Sequence, residues 1–188
     1  MRNKLLTLAL LFVSVFVLSC IGPADPILHR ETVRGVIGLL EDYYNSASVG
    51  GYQTYLLSIF TFHFSEHDQN QGLPATYDYT EDVASTRSLF EHEGIGADNI
   101  DLTFAIPEFD EPAEGTNTFK VELIPYDLYV TNSLDQITYH AQHTCSFELI
   151  RIDGNWYISQ WWDEVHGYIT GGSGEQMKET TWGQIKSM

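Results

Sequence analysis

Along residues 28–45, apolar side chains recur at Val33, Val36, Ile37, Leu40 and Tyr43/Tyr44. Steps of three and four place them on one face, which predicts an amphipathic helix. Gly35 and Gly38 weaken that helix by up to ~1 kcal/mol each relative to Ala. After the turn "SASVGG", the spacing of Tyr52, Tyr55, Leu56, Ile59 and Phe60 predicts a second, shorter helix. "FTFHF" (60–64) alternates and reads as strand. "SEHDQNQGLPATYDYT" reads as a loop. Thr80 is an N-cap candidate for a third helix carrying Val83, Leu89 and Phe90 and ending at Gly94.

Beyond residue 98 the period changes to two. Ile100, Leu102, Phe104 and Ile106 share one face of a strand. "TFKVELIPYDLYVTN" (118–132) is a long strand with a slip in phase: Phe119, Val121 and Leu123 give way to Tyr126, Leu128 and Val130. One extra residue at Ile124-Pro125, a β-bulge, repairs the parity. In "QITYHAQHTCSFELIRI" (136–152), Tyr139, Ala141, His143, Cys145, Phe147 and Leu149 face inward. Thr138, His140, Gln142, Thr144, Ser146 and Glu148 take the wet face. Asp153-Gly154 is a two-residue hairpin signal leading into "NWYISQWWD". "GYITGGSGEQ" reads as flexible, and "TTWGQIKSM" as a terminal helical turn anchored by Trp182. Helices first and long antiparallel strands after them predict an α+β fold, with helices packed on one face of a bent sheet.

The amino terminus changes where this domain is expected to work. Arg2 and Lys4 precede the apolar run Leu5–Leu18. As a helix, 14 residues rise about 21 Å at ~1.5 Å each, short of the ~30 Å hydrocarbon core, so the run reads as an export signal. It closes on Val17-Leu18-Ser19-Cys20, which resembles the lipobox of bacterial lipoproteins. That resemblance implies cleavage before Cys20 and lipidation of its thiol, which as thiolate is the nucleophile for lipid transfer. Several acyl chains at ~0.8 kcal/mol per methylene anchor stably where one does not. The expected organisation is a signal peptide (1–19), a tether (20–27), a domain (28–166) and a C-terminal tail (167–188). The expected location is the bacterial cell envelope, with the domain attached to a membrane through Cys20.

Without Arg2 and Lys4, seven of the nine basic residues face 26 acidic ones, a net charge of −19 with His neutral. That argues against nucleic acid, whose affinity rests on cationic contacts to phosphate, and against docking on anionic headgroups. With Cys20 taken by lipid, Cys145 is left single, so no internal disulfide is expected.

Three segments carry a family resemblance: "RETVRGVIGLLEDYYNS", "YQTYLLSIFTFHFS" and the closing hairpin "CSFELIRIDGNWYISQWWDE". Over residues 28–165 the chain resembles the nuclear transport factor 2-like superfamily, which includes the SnoaL-like and ketosteroid-isomerase-like domains. "LPATYDYTEDVASTRSLF" and "TWGQIK" are similar to segments of bacterial lipoproteins that carry this domain. The resemblance implies a cone, a curved sheet wrapped around a long helix with a pocket at its open end, and no single activity.

Candidate chemistry follows from that cone. His143 and Tyr139 on its inner wall are the candidate general base and hydrogen-bond donor of a proton-transfer enzyme. His143 equally fits a satisfied core or rim histidine. Asp127 and Glu148 fall on the outward face, which weakens an isomerase. Tyr43, Tyr44, Tyr126, Tyr139, His143 and Trp161 are candidates to line an apolar pocket, and Trp156 and Trp162 extend the aromatic set. Aromatics such as Tyr43, Tyr44, Trp156, Trp161 and Trp162 are more often core. His63, Glu66, His67 and Asp68 have metal-like types, but a strand running into a loop does not converge them, so no metal is expected. Asp163 and Glu164, with His166, follow Trp161-Trp162 at the end of the last long strand. A carboxylate at the mouth of a cone is a candidate to bind a ligand, although exposed acids after a strand are usually just solvated. Phosphate loops, nucleophile elbows and CxxC pairs are absent, so no cofactor is expected. The leading expectation is a non-enzymatic, lipid-anchored domain binding a small apolar ligand, a peptide or a protein. The alternatives are a small-molecule enzyme, or a dimer formed through the outward face that carries Thr138, His140, Gln142 and Thr144.

Overall fold

A computed structural model describes residues 30–91, 97–132, 134, 136–165 and 177–188. The signal, Cys20, the tether, His166 and the expected helix end at Gly94 lie outside them.

The first helix, α1 (Val33–Asn45), buries Val33, Val36, Ile37, Leu40 and Tyr44, the face its spacing predicts. Thr32 caps it, its hydroxyl accepting from the Gly35 amide at 3.0 Å. Glu111 reaches over from a distant loop to take the Val33 and Arg34 amides at 2.8 and 3.1 Å. A carboxylate there satisfies donors that a helix start leaves unpaired and complements its dipole.

The second expected helix is wrong over most of its length. Only Val49–Gln53 (α2) is helical, and Leu56–His63 is strand β1. The reason is a gap in the alternation. Leu56, Phe60 and Phe62 share the buried face of β1 at even spacing, but Ser58 between them is exposed, where the pairing with β6 (Asn155–Glu164) shifts register, so an interval of four stands alone. An irregular strand thus imitated a helical period. The expected loop contains a short helix, α3 (Glu66–Asn70), and strand β2 (Thr76–Asp78). Helix α4 (Tyr79–Phe90) is capped by Asp78 rather than Thr80, in a capping box with Glu81.

Strands β3 (Asn99–Phe104), β4 (Thr118–Asn132), β5 (Ile137–Ile152), β6 and a short β7 (Met177–Glu179) complete a seven-stranded sheet ordered β2-β1-β6-β5-β4-β3. The β4 bulge falls between Val121 and Ile124, just before its expected place, with Leu123 at φ 55°. Asp153 and Gly154 both take positive φ, as the two-residue turn requires. The outer edge of β3 is closed by α1: Asn45 brackets the Leu102 amide and carbonyl at 2.6 and 2.9 Å, and Glu41 takes the Phe104 amide at 2.8 Å. An edge so covered offers no template for another strand.

β5 pairs with β4 along nearly its whole length, and with β6 only from Thr144 onward. Its free stretch at Thr138–His140 pairs with β7 in parallel. Residues 177–179 of the expected tail are therefore part of the sheet, and the terminal helical turn expected at Trp182 is present. That turn is α5 (Trp182–Ser187), which buries Trp182, Ile185 and Lys186.

Candidate functional site

The concave side of the sheet and helices α1, α2 and α4 enclose an aromatic interior. Tyr44 comes from α1, Tyr52 from α2, Phe62 from β1, Phe104 from β3, Tyr126 from β4, Phe147 from β5 and Trp161 from β6. At its centre stands Trp182. Its ring meets Trp161 edge-on at 4.3 Å between centroids, Tyr126 at 4.9 Å and Tyr44 at 5.1 Å, and stacks on Phe104 at 5.9 Å. Its indole N–H donates to the Tyr44 hydroxyl at 3.2 Å. Such edge-on contacts place ring hydrogens against the negative faces of their partners.

Three carboxylates point into this interior, and residues 181–186 bind all three. The Thr181 hydroxyl donates to Asp68 at 2.6 Å, and Ser65 donates to the other oxygen of Asp68 at 2.8 Å. The Gly183 amide donates to Asp163 at 3.1 Å, whose second oxygen accepts from the Tyr126 hydroxyl at 2.8 Å. The Lys186 ammonium pairs with Asp82, which also accepts from Tyr52. Gly183 is what lets the segment come so close: a Cβ there would stand 2.6 Å from an Asp68 oxygen and 2.7 Å from the Phe64 ring.

Burial dominates the electrostatics. It pushes the Asp163 carboxyl up to about 7, against the hydrogen bonds from Tyr126 and Gly183. It lowers the Lys186 ammonium, against the attraction of Asp82. The Cys145 thiol, opposite Asp163 in the β5–β6 register, is held well above its ordinary value by burial and then by that carboxylate. The phenols of Tyr44, Tyr52 and Tyr126 are all raised, burial coming first.

Of the residues expected at the pocket, Tyr44, Tyr126 and Trp161 line the interior, but they close on Trp182. Tyr43 instead stacks on Tyr55 at 5.5 Å. Tyr139 is half-buried beneath the Lys178 ammonium, 5.4 Å from its ring. His143 is half-buried beside Glu179 and Thr180 of the same C-terminal segment. Burial lowers it, with Asp68 acting in the opposite sense. Four residues separate Tyr139 from His143 on β5, about 13 Å at ~3.3 Å per residue, and no hydrogen bond joins them. Trp156 is buried, whereas Trp162 faces outward between the His63 ring and the Lys120 ammonium.

Asp163 reverses the expectation of a solvated strand end, being 3% exposed. The outward face of β5 is corrected too. His140 is held between Asp127 at 2.6 Å and Glu179 at 3.2 Å beneath the stacked Tyr129 ring, and Ser146 is fully buried. Of the four residues expected to offer a dimer face, Gln142 alone is exposed, while Thr138 and Thr144 are half-buried. The charged residues that organise the interior had two legible signals. Asp163 is in strand phase with Trp161, and Lys186 lies four residues after Trp182.

No family model matches the sequence, and no curated protein does. Solved structures do. A conserved protein from Planctomyces limnophilus superposes with a TM-score of 0.57 at 11% identity, over 71% of this chain and 93% of its own. A candidate dehydratase of the NTF2-like family from Streptomyces avermitilis gives 0.57 at 8% identity, over 77% and 100%. An NTF2-like superfamily protein from Salmonella enterica gives 0.51 at 12% identity, over 74% and 90%. The chain has the nuclear transport factor 2-like fold. Identities this low carry the architecture and no activity. Within this fold, the interior lined by Tyr44, Tyr126 and Trp161 is filled by Trp182 and Lys186 of the chain itself.

Proposed function

We propose that this chain is an envelope-tethered recognition protein whose cone takes up a peptide segment. One observation carries the reading: the interior already holds a peptide, residues 181–186, through contacts to Asp68, Asp82 and Asp163. An interior built only for packing has no need of three inward carboxylates, because buried charge is costly unless paired. Attachment to the membrane rests on Val17-Leu18-Ser19-Cys20, with the acyl group on Cys20 holding the domain while its net negative charge keeps it off anionic headgroups. Loss of palmitate-analogue labelling in Cys20→Ser supports the anchor, and labelling that persists in that variant refutes it.

The experiment on the cone uses full-length Gly183→Leu, whose side chain cannot fit against Asp68 and Phe64. A labelled synthetic peptide of residues 177–188 should bind this variant saturably in fluorescence anisotropy. It should not bind the wild type, where the tethered copy competes at high effective concentration. A Gly183→Leu chain that keeps its β-sheet circular dichroism yet binds no peptide refutes the reading.

A second reading is favoured by the geometry of Asp163, an inward carboxyl that accepts from the Tyr126 hydroxyl at 2.8 Å. Such a pair suits proton transfer on a small apolar substrate better than the separated His143 and Tyr139. It requires α5 to leave first. Gly183→Leu should then exchange the acidic C–H protons of a cyclic ketone with solvent deuterium, and Asp163→Asn added to it should not. Exchange no faster than in buffer dismisses this reading.

A further inference from the structure

Lys186 is fully buried, and what surrounds its ammonium belongs to the cone. Phe62 of β1 presents its ring 4.4 Å from Nζ, Trp161 of β6 at 4.7 Å and Tyr52 of α2 at 5.6 Å. Asp82 of α4 supplies the counter-charge, and the Tyr52 hydroxyl accepts from Nζ at 3.3 Å. Three aromatic faces and one carboxylate are the surroundings a desolvated cation needs, since each ring offers negative charge from its quadrupole. None of the four residues lies within 177–188. The box is therefore a property of the cone, and Lys186 is its occupant.

Two details set the chemistry. Asp82 and the Tyr52 hydroxyl both accept hydrogen bonds from the cation, so the site favours an ammonium bearing N–H groups over a quaternary one. Asp82 spends one oxygen on Tyr52 and the other on Lys186, so removing the lysine leaves a buried carboxylate short of its partner. Trp182 and Lys186 lie four residues apart on α5 and enter the interior from the same helix face.

We propose that Asp82, Tyr52, Phe62 and Trp161 form a binding site for a primary alkylammonium group, filled here by Lys186 and available to the lysine of another peptide when residues 177–188 withdraw. This deepens the peptide-recognition reading and rests on it. The ligand class is a helical segment with tryptophan and lysine four apart and a small residue after the tryptophan, as in Trp182-Gly183-Gln184-Ile185-Lys186.

The test begins with full-length Lys186→Ala, which removes a propylammonium-sized group. n-Propylammonium chloride should raise its thermal midpoint saturably, 1-propanol at equal concentration should not, and adding Asp82→Asn should abolish the effect. If Lys186→Ala does not fold, the same comparison is made by refolding from urea, where n-propylammonium alone should restore the native circular dichroism. Equal effects of amine and alcohol, or none from either, overturn the box. The second arm titrates Gly183→Leu with the 177–188 peptide and with a version carrying norleucine in place of Lys186, which should bind at least tenfold more weakly. Equal binding by the two peptides overturns the ammonium inference and leaves peptide recognition standing. Amine rescue without binding of either peptide overturns peptide recognition, and the lysine ligand with it, leaving a free alkylamine as the source.

Discussion

Asp163→Asn isolates the cost of a buried carboxylate at the heart of the cone. The folded chain raises this group from 3.8 to about 7 by burial. Between those values the native state keeps a proton that the unfolded chain has released. The stability this contributes is fully present below about pH 4 and is lost as pH rises through about 7. At ~1.4 kcal/mol for each tenfold change in affinity, the ionised carboxylate burdens the fold by about 4 kcal/mol above that window. Asparagine has the same shape and does not titrate. Its carbonyl can accept from Gly183 as the carboxylate does, and its amide can donate to the Tyr126 oxygen, so both contacts are kept, the second with donor and acceptor exchanged as in the protonated carboxyl. Urea unfolding of both proteins at intervals from pH 4 to pH 8 reads the difference directly, because every other titrating group is common to the two. The variant should match the wild type near pH 4 and gain on it steadily, by about 4 kcal/mol at pH 8. A difference that stays flat refutes the reasoning. A difference that falls with pH would mean that Lys186 stabilises the Asp163 carboxylate more than burial penalises it.

Trp182→Ala should empty the centre of the aromatic cluster and cost about 3–5 kcal/mol, read as a lower urea midpoint with unchanged slope. A loss below about 1 kcal/mol would mean the ring is not packed as described. Leu123→Gly should stabilise by up to ~1 kcal/mol, because Leu123 holds φ 55° at the β4 bulge with its side chain 53% exposed. A lower thermal midpoint would contradict the strained backbone.

The strands were legible wherever alternation was unbroken. The β5–β6 hairpin and the inward set Ala141, Cys145, Phe147 and Leu149 are placed as their periodicity implied. Misreading came where the exposed Ser58 interrupts the alternation, since Leu56 and Phe60 at an interval of four cannot be told from a helix turn by pattern alone. The interior charges were missed for another reason. Asp68, Asp82, Asp163 and Lys186 are residue types that are almost always exposed, and burial is tolerable here because distant partners pair them. Asp82 and Lys186 are 104 residues apart, and Thr181 and Asp68 are 113. No local window contains either pair. The terminal helical turn at Trp182 is legible, but the segment's pairing with β5 and its entry into the cone are not, because its apolar positions are few and its partners are distant.

Hydrogen exchange on the intact chain tests most directly whether residues 177–188 occupy the cone. The Gly183 and Ile185 amides are bonded to Asp163 and Thr181 in the interior, so they should exchange as slowly as the central amides of β5 and β6. Complete labelling of 177–188 within seconds, while β5 and β6 remain protected, would contradict the occupied cone and every inference drawn from it.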